Sequence, residues 1–286
     1  MSLRRLLAGP EIVVAPGIYD GMSAMLVAEA GFPAAYLSGA SICYTRYGYP
    51  DIGLVSMTEV ADTLSAIRER ATLPVIVDID TGFGNALNVQ RTVRTFEVRG
   101  ASALQLEDQV TPKRCGHLAD KALIGTAEMV GKLKAALDAR ASSDMLIIAR
   151  TDAVAVEGFE RALDRAAAYV EAGADLLFVE APGSREQLAE IARRFGGRAP
   201  VMANMVEGGK TPILPAAELQ ALGFKLVIFP GGTVRALAFA LRDYLGNLKT
   251  QGTTDAYRNR MLDFAELNAL LGTAAFQARG KRYDAG

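Results

Sequence analysis

Short apolar runs recur along the chain and alternate with longer segments of helical composition. The apolar runs are long enough for buried parallel strands. Eight such runs are Ile12–Ala15, Ala34–Ser38, Pro74–Asp80, Ala103–Glu107, Leu146–Thr151, Leu176–Glu180, Val201–Asn204 and Leu226–Phe229. The pattern therefore predicts a β-α unit that is used eight times.

The joint between a helix and the next strand also repeats. A helical segment ends, one glycine follows, and a strand begins after it at Gly31, Gly100, Gly173 and Gly223. Glycine suits the position just after a helix because the chain turns there through a left-handed conformation that a Cβ disfavours. The repeat predicts the same αβ turn at all of these positions.

An eightfold β-α repeat favours a closed (β/α)8 barrel of the TIM type over the alternative, an open doubly wound sheet. No linker-like or low-complexity stretch divides residues 1–286, which predicts a single domain. Residues 234–272 follow the last strand and predict C-terminal helices over Val234–Leu248 and Thr254–Leu271. One barrel needs only one of these helices, so the surplus favours an oligomer.

Composition narrows the functional classes. The chain has 286 residues, of which 50% are hydrophobic and 22% charged, and a net charge of -1. Such a balance predicts an ordinary globular protein with no affinity for nucleic acid. The apolar run near the start is too short for the core of a signal sequence, and no later stretch has the apolar length of a membrane-spanning helix, so we expect a cytoplasmic protein without a membrane partner. Cys43 and Cys115 are too few for a disulfide framework or a zinc site.

The expected chemistry lies at the carboxyl ends of the strands, where barrel enzymes of this type carry their active sites. The predicted strand ends are polar: Ser38, Asp78, Asp80, Glu107, Arg150, Glu180 and Asn204. Several buried carboxylates cannot all stay ionised without a counter-charge. A divalent cation would supply that charge.

Asp78 and Asp80 are two residues apart on the third predicted strand, so their side chains are expected on the same face. Together with Glu107 they form a set of oxygen ligands, which suits Mg²⁺, or Mn²⁺, better than zinc. The alternative is that one of the aspartates caps the next helix or pairs with an arginine. Acidic residues at the neighbouring strand ends favour the metal.

The segment Lys113-Arg114-Cys115-Gly116-His117 follows the fourth predicted strand and holds the chain's single histidine. A solvated loop with a chance cysteine is the plain interpretation. The flanking cations are expected to lower the pKa of the Cys115 thiol from about 8.5. A thiol of that kind on a mobile loop can transfer a proton at neutral pH. Cys43, between Ile42 and Tyr44, is expected to be inert packing.

These segments together resemble the isocitrate lyase/phosphoenolpyruvate mutase superfamily. The resemblance runs from about Ala15 to Ala240 and includes Tyr36-Leu-Ser38-Gly39, Asp78-Ile-Asp80-Thr-Gly82 and Gln105-Leu-Glu107-Asp108. The Lys-Arg-Cys-Gly-His run resembles the loop of the lyase branch, which includes 2-methylisocitrate lyase and 2,3-dimethylmalate lyase. The chain departs from the family pattern at Ser38-Gly39-Ala40-Ser41 and at Pro230-Gly231-Gly232, which leaves the exact substrate open.

The resemblance implies a role for each matching residue. Asp78 and Asp80 would hold Mg²⁺, with Asp51 and Glu107 supporting the metal shell. Cys115 would be the general acid, assisted by Lys113, while Arg150 would bind the 2-oxo carboxylate. The remaining substrate-binding residues would be Tyr36, Ser38, Gly39, Ala40, Gly116, His117, Glu180, Asn204, Arg235 and Arg260. The family also implies a homotetramer whose subunits exchange a C-terminal helix.

The expected activity is cleavage of a carbon–carbon bond in a small di- or tricarboxylate of the 2-hydroxy (alkyl)malate or methylisocitrate type. Pyruvate or glyoxylate and a carboxylic acid would be released. The alternatives within the family are a 2-oxo acid (oxaloacetate) decarboxylase and a phosphoenolpyruvate or phosphonopyruvate mutase or hydrolase. A non-catalytic binding barrel is the alternative from another class, and the joint presence of Asp78, Asp80, Lys113 and Cys115 argues against it.

Overall fold

A closed barrel of parallel strands forms the centre of the structure, a computed structural model that describes residues 1–116, 118 and 120–284. Each strand pairs with the next along the chain, and the last pairs with the first. The strands are β1 (Val13–Ile18), β2 (Ala35–Leu37), β3 (Val75–Asp78), β4 (Ala103–Glu107), β5 (Leu146–Thr151), β6 (Leu176–Val179), β7 (Val201–Asn204) and β8 (Leu226–Phe229). The predicted (β/α)8 barrel is confirmed, and the doubly wound alternative is excluded.

Helices lie between the strands and continue after β8. They are α1 (Leu3–Leu7), α2 (Gly21–Glu29), α3 (Gly39–Ile42), α4 (Met57–Arg68), α5 (Ala86–Val98), α6 (Thr126–Ala139), α7 (Phe159–Glu171), α8 (Arg185–Phe195), α9 (Ala216–Leu222), α10 (Gly232–Gln251), α11 (Phe264–Leu271) and α12 (Thr273–Gly280). A π-helical turn spans Cys43–Tyr47, and 3-10 turns span Ala153–Ala155 and Asp255–Arg260. None of the helices in the described part of the chain is long and apolar enough to cross a membrane.

The repeated glycine joints have the conformation that the sequence predicts. Gly31, Gly100, Gly173 and Gly223 have φ values of 81, 87, 99 and 108°. At these angles a Cβ would be disfavoured, so the glycines end the helices and release the chain toward the next strand.

Several predicted boundaries differ from the structure, and two of the differences have a clear physical cause. The first strand is predicted over Ile12–Ala15, yet β1 spans Val13–Ile18. Gly17 pairs with Tyr36 of β2, and a Cβ on Gly17 would lie 2.0 Å from the carbonyl oxygen of Pro230. Glycine is therefore required here by close backbone approach rather than by a turn.

The helix predicted over Thr254–Leu271 is interrupted. A 3-10 turn comes first, and α11 begins only after Asp263, whose carboxylate accepts a hydrogen bond from the Glu266 N–H at 2.8 Å. Such a cap stabilises a new helix start, which breaks the continuous helix that composition favoured. A further helix, α12, follows the left-handed Gly272.

The barrel interior changes from apolar to polar along the strand direction. Its apolar layers include Ala15, Tyr36, Ile76, Ile148, Phe178 and Met202. Side chains two residues further along a strand point to the same side. The next inward positions are therefore Ser38, Asp78, Arg150, Glu180 and Asn204, together with Gln105 and Glu107 of β4. The fold places a polar layer directly above the apolar core.

The chain separates into two compact units, Met1–Val234 and Arg235–Gly286. The first unit contains the barrel. In the second, Tyr257 is buried, and its ring lies 5.4 Å from that of Tyr244 in an edge-on arrangement. The single domain expected over residues 1–286 stays a prediction.

Candidate active site

Four carboxylates lie close to one lysine at the carboxyl end of β3 and β4. Lys113 Nζ lies 2.6 Å from Asp51 Oδ1 and 2.9 Å from Asp80 Oδ1. Asp78 and Glu107 are buried nearby on β3 and β4 and add to the negative potential at Lys113. An arginine guanidinium lies 3.3 Å from Glu107, so two cations face four carboxylates and negative charge is in excess at this side of the site.

Asp78 and Asp80 share one side of the site for a reason that strand alternation did not predict. β3 ends at Asp78, and Asp80 lies beyond it in a left-handed conformation with φ 48°. Its backbone N–H donates to Asp78 Oδ1 at 3.1 Å. A Cβ on Gly39 would lie 3.8 Å from both Asp78 Oδ2 and Asp80 Oδ1, so the two carboxylates face the same space.

Burial controls the protonation of these groups. Removal from water raises the pKa of the Asp80 carboxyl to about 7. The Asp78 and Asp51 carboxylates add to this rise, whereas the Lys113 ammonium opposes it. Burial likewise raises the pKa of Glu107. Glu107 Oε1 has no hydrogen-bond partner among the described residues. A divalent cation would relieve both effects, so the residues present fit such a cation.

The number of protein ligands also bears on the metal. Within the described residues, no group of three or more His, Cys, Asp or Glu side chains is gathered so as to hold a metal ion. A cation at Asp78 and Asp80 would therefore complete its shell with water and substrate oxygens. Mg²⁺ characteristically binds in this way, keeping several waters beside one or two carboxylates.

Arg150, at the end of β5, is the cationic centre of the other half of the site. Its Nε donates to Asp152 Oδ2 at 2.8 Å, and its Nη2 donates to Asp152 Oδ1 at 3.0 Å. Glu107 and Glu180 lie 3.3 and 3.6 Å from the same guanidinium. Asn204 donates to Glu180 at 3.1 Å. Arg150 is thus held in one orientation, as a residue that binds a carboxylate must be.

The loop that carries Cys115 folds over both halves. The Cys115 N–H donates to the Asp51 carbonyl at 3.2 Å. Gly116 packs against Arg150 and Glu180 so tightly that a Cβ would lie 2.6 Å from Arg150 Nη2 and 2.7 Å from Glu180 Cγ. Only glycine can occupy this position without displacing the guanidinium.

The cations that flank Cys115 are not equivalent. Lys113 is engaged by Asp51 and Asp80, whereas the Arg114 side chain is 50% exposed and lies 3.7 Å from Asp120. His117 lies outside the described residues. Neither cysteine forms a disulfide, and Cys43 is buried with its thiol directed at the Pro50 carbonyl.

The β2 side of the site combines a buried tyrosine with a helix start. Tyr36 Oη donates to Gln105 Oε1 at 2.9 Å, below the carboxylates. The Ser38 hydroxyl accepts the Ser41 N–H at 3.2 Å and so caps α3. Gly39 and Ala40 occupy the first positions of α3, where backbone N–H groups have no acceptor within the helix.

The two departures from the family pattern contact each other. The Ser41 hydroxyl donates to the Pro230 carbonyl at 3.0 Å, and Gly17 of β1 approaches the same carbonyl. They form one local feature at the junction of β1, β2 and β8.

Two predicted site residues belong to the second unit. Arg260 pairs with Asp243 there, and its guanidinium lies 4.7 Å from the centre of the Tyr257 ring. Arg235 is exposed on α10. Their expected place in the substrate pocket stays a prediction.

Known proteins are similar to this chain in sequence and fold. Residues 3–249 match the family described as phosphoenolpyruvate phosphomutase. The chain belongs to the phosphoenolpyruvate mutase/isocitrate lyase superfamily. It is 45% identical to 2,3-dimethylmalate lyase of Eubacterium barkeri, over 95% of this chain and 93% of that one. It is 47% identical to 2-methylisocitrate lyase of Aeropyrum pernix, over 98% and 89% of the two chains.

Solved structures of the superfamily superpose closely. A crystal structure of 2,3-dimethylmalate lyase matches with a TM-score of 0.92 and 35% identity, over 99% of this chain and 95% of that one. Phosphonopyruvate hydrolase in complex with oxalate and Mg²⁺ matches with a TM-score of 0.88 and 31% identity, over 98% and 97%. The predicted superfamily and the class of carbon–carbon lyase are confirmed.

Several residues of the site were missed by the sequence prediction. Gln105 lies two residues before Glu107 on β4, so it could have been assigned to the same inner face from that spacing. Gln109 binds both the Arg114 N–H and the Arg114 carbonyl, and Lys121 is buried against Asp152. Both act on an irregular loop, where periodicity carries no signal.

Proposed function

We propose that this chain is a Mg²⁺-dependent lyase that cleaves a 2-hydroxy (alkyl)malate or methylisocitrate-type acid. The products would be pyruvate, or glyoxylate, and a carboxylic acid. The single observation that carries the proposal is the position of the cysteine loop, residues 113–116. Lys113 contacts Asp51 and Asp80 at one end of the loop, and Gly116 packs on Arg150 further along.

Asp78 and Asp80 would hold the cation, with Asp51 and Glu107 around them, and Mn²⁺ would substitute for Mg²⁺ at the same oxygen ligands. When bound, the metal supplies positive charge to the 2-oxy-acid half of the substrate. Arg150 would bind the carboxylate of that half, held in place by Asp152. The N–H groups of Gly39 and Ala40 and the hydroxyl of Ser38 would bind it from the opposite side.

The bond that breaks joins the carbinol carbon to the carbon that bears the second carboxylate. A carboxylate of the site would accept the 2-hydroxyl proton as the new carbonyl group forms, and the electron pair of the broken bond would pass to the leaving fragment as a carboxylate-stabilised enolate. Cys115 would protonate that carbanion from its thiol. Gly116, His117, Glu180, Asn204, Arg235 and Arg260 would bind the second fragment.

The assembly and location of the protein complete the proposal. The C-terminal unit exposes large apolar side chains, including Phe239 at 72% and Phe264 at 87%. Exposed apolar surface of this kind favours subunit contacts, and we propose a homotetramer that exchanges its C-terminal helices. The two cysteines without a disulfide suit the reducing cytoplasm.

The test is a substrate screen with purified protein and Mg²⁺. It would compare 2-methylisocitrate, 2,3-dimethylmalate and isocitrate with oxaloacetate and phosphonopyruvate. Pyruvate or glyoxylate release from one of the first three acids, with little turnover of the last two, is the expected result. Preferred turnover of oxaloacetate or phosphonopyruvate would replace the lyase with a decarboxylase or hydrolase. No turnover of any acid would favour the non-catalytic barrel.

A further inference from the structure

Lys121 is a buried lysine that lies just after the cysteine loop. Its side chain is 1% exposed, which is unusual because an unpaired ammonium is costly to remove from water. Nζ donates to the Gly116 carbonyl at 2.5 Å and to Asp152 Oδ1 at 2.9 Å. One side chain thus connects the loop backbone to a carboxylate of the barrel.

The same carboxylate holds Arg150. Asp152 receives two hydrogen bonds from that guanidinium, and its own backbone N–H donates to Asp108 Oδ1 at 2.9 Å. Asp108 in turn accepts hydrogen bonds from Thr151 and Tyr169, both at 2.7 Å. Asp108 therefore holds the backbone of Asp152 in place, while the Asp152 carboxylate binds Arg150 and Lys121.

The contact with Gly116 distinguishes Lys121 from a residue that only balances charge. Arg150 already neutralises Asp152 with a paired hydrogen bond, so the carboxylate has a partner without Lys121. The Gly116 carbonyl, by contrast, lies on a segment that must stay within contact of Arg150 and Glu180. Lys121 is the group that binds this carbonyl.

We propose that Lys121 is a positioning residue that keeps the cysteine loop closed by linking the Gly116 carbonyl to Asp152. The closed loop and the orientation of Arg150 then depend on one carboxylate. The inference rests on the proposed function only in giving the closed loop a catalytic purpose, namely the delivery of Cys115 to the substrate.

The test compares Lys121→Met with the wild-type protein. Methionine keeps an unbranched, flexible stem but removes the ammonium. We expect kcat to fall by about tenfold to a hundredfold, since small misplacements of reacting groups have effects of that size. The dissociation constant of the 2-oxo acid product should change by no more than about threefold, because Arg150 keeps its bonds to Asp152.

A second readout needs no substrate. The alkylation rate of Cys115 by iodoacetamide is measured by mass spectrometry from about pH 6 to about pH 10. The midpoint of the profile reports thiol acidity, and the plateau at high pH reports access to the thiol. We expect the plateau to rise by about tenfold in Lys121→Met as the loop opens. Cys43, buried in the same molecule, serves as the internal reference.

Two further variants complete the design. Lys134→Met makes the same change on the exposed face of α6 and should match wild type in both readouts. Lys121→Gln keeps a donor for the Gly116 carbonyl without the charge, so its alkylation plateau should lie between those of wild type and Lys121→Met. This ordering is not expected if Lys121 only balances the charge of Asp152.

An alkylation plateau in Lys121→Met within about twofold of wild type would overturn the proposal. Loss of folding in both Lys121 variants, seen by circular dichroism, would overturn it too and make the residue a structural ion-pair partner. Failure of the proposed function is a separate outcome. A chain that cleaves none of the acids in the screen would refute the lyase, whereas the alkylation plateau would still decide the role of Lys121.

Discussion

The ammonium of Lys113 lies 2.6 Å from Asp51 Oδ1, and both side chains are less than a tenth exposed. Lys113 also contacts Asp80 at 2.9 Å, so it links the first residue of the cysteine loop to the carboxylates at the carboxyl end of the barrel. Loop position and charge balance are thus coupled through one residue.

Replacing Lys113 with methionine should destabilise the protein strongly. Breaking a buried ion pair by removing one partner typically costs about 3–5 kcal/mol, because the remaining charge stays buried. The free energy of unfolding is measured by urea titration at matched protein concentration. Excess Mg²⁺ should restore part of the loss, since the cation binds the same carboxylates. Lys132→Met is the control, because Lys132 is buried and donates to the Thr81 carbonyl rather than to a carboxylate. Equal losses in the two variants would contradict the coupling.

Asp80→Asn should remove nearly all activity and Mg²⁺ affinity while the protein stays folded. Asparagine tolerates the left-handed backbone at φ 48°, so the change tests the charge rather than the conformation. Titration calorimetry with Mg²⁺ and the lyase assay are the measurements. Asp120→Asn is the matched control, because Asp120 has φ 57° but is exposed. Full wild-type activity in excess EDTA would refute the metal assignment.

Cys115→Ser should bind Mg²⁺ and the 2-oxo acid almost normally and yet lose at least about a hundredfold in turnover, the size expected for removal of a general acid. A hydroxyl is a far weaker acid than a thiol, although the two side chains are similar in size. Cys43→Ser is the control, because a serine there can still donate to the Pro50 carbonyl, and it should stay near wild type. If Cys115→Ser keeps turnover within a few-fold, a decarboxylase or hydrolase becomes the better interpretation.

Deletion of all residues after Gly252 should break the oligomer. The deletion removes Tyr257, whose ring packs on Tyr244 of α10, and exposes the apolar side chains of that helix. Light scattering coupled to size exclusion gives the mass. Removal of residues 281–286 alone is the control, and the measured mass should correspond to the same number of subunits as in the full-length protein. An active monomer lacking everything beyond Gly252 would contradict the role of these helices.

Tyr169→Phe should lower the free energy of unfolding by about 1.5–3 kcal/mol, the value of a hydrogen bond to a charged group. Tyr169 Oη donates to Asp108 Oδ2 at 2.7 Å, and the side chain is fully buried. Tyr283→Phe, at an 82% exposed position, should have no measurable effect. Similar urea midpoints for all three proteins would show that water or Arg165 replaces the lost donor.

The barrel and much of its polar layer followed from the sequence alone. Strand and helix periodicity are local properties, and four predicted strands, among them β4 and β5, have the observed ends. The alternation of inward side chains then places Asp78, Glu107, Arg150 and Glu180 in one layer, since parallel strands in a barrel align their carboxyl ends. The glycine joints were equally local, because each depends on a single left-handed residue.

Other features depended on contacts between distant segments. Asp80 shares a side with Asp78 through a left-handed turn, β1 continues through Pro16-Gly17 where Gly17 pairs with Tyr36 of β2, and Lys121 is buried where it binds both Asp152 and the Gly116 carbonyl. None of these follows from spacing along the chain. Hydrogen bonds and close packing between residues far apart in sequence form only when the barrel closes, so the tertiary structure alone decided which charges share a partner and where the cysteine loop rests.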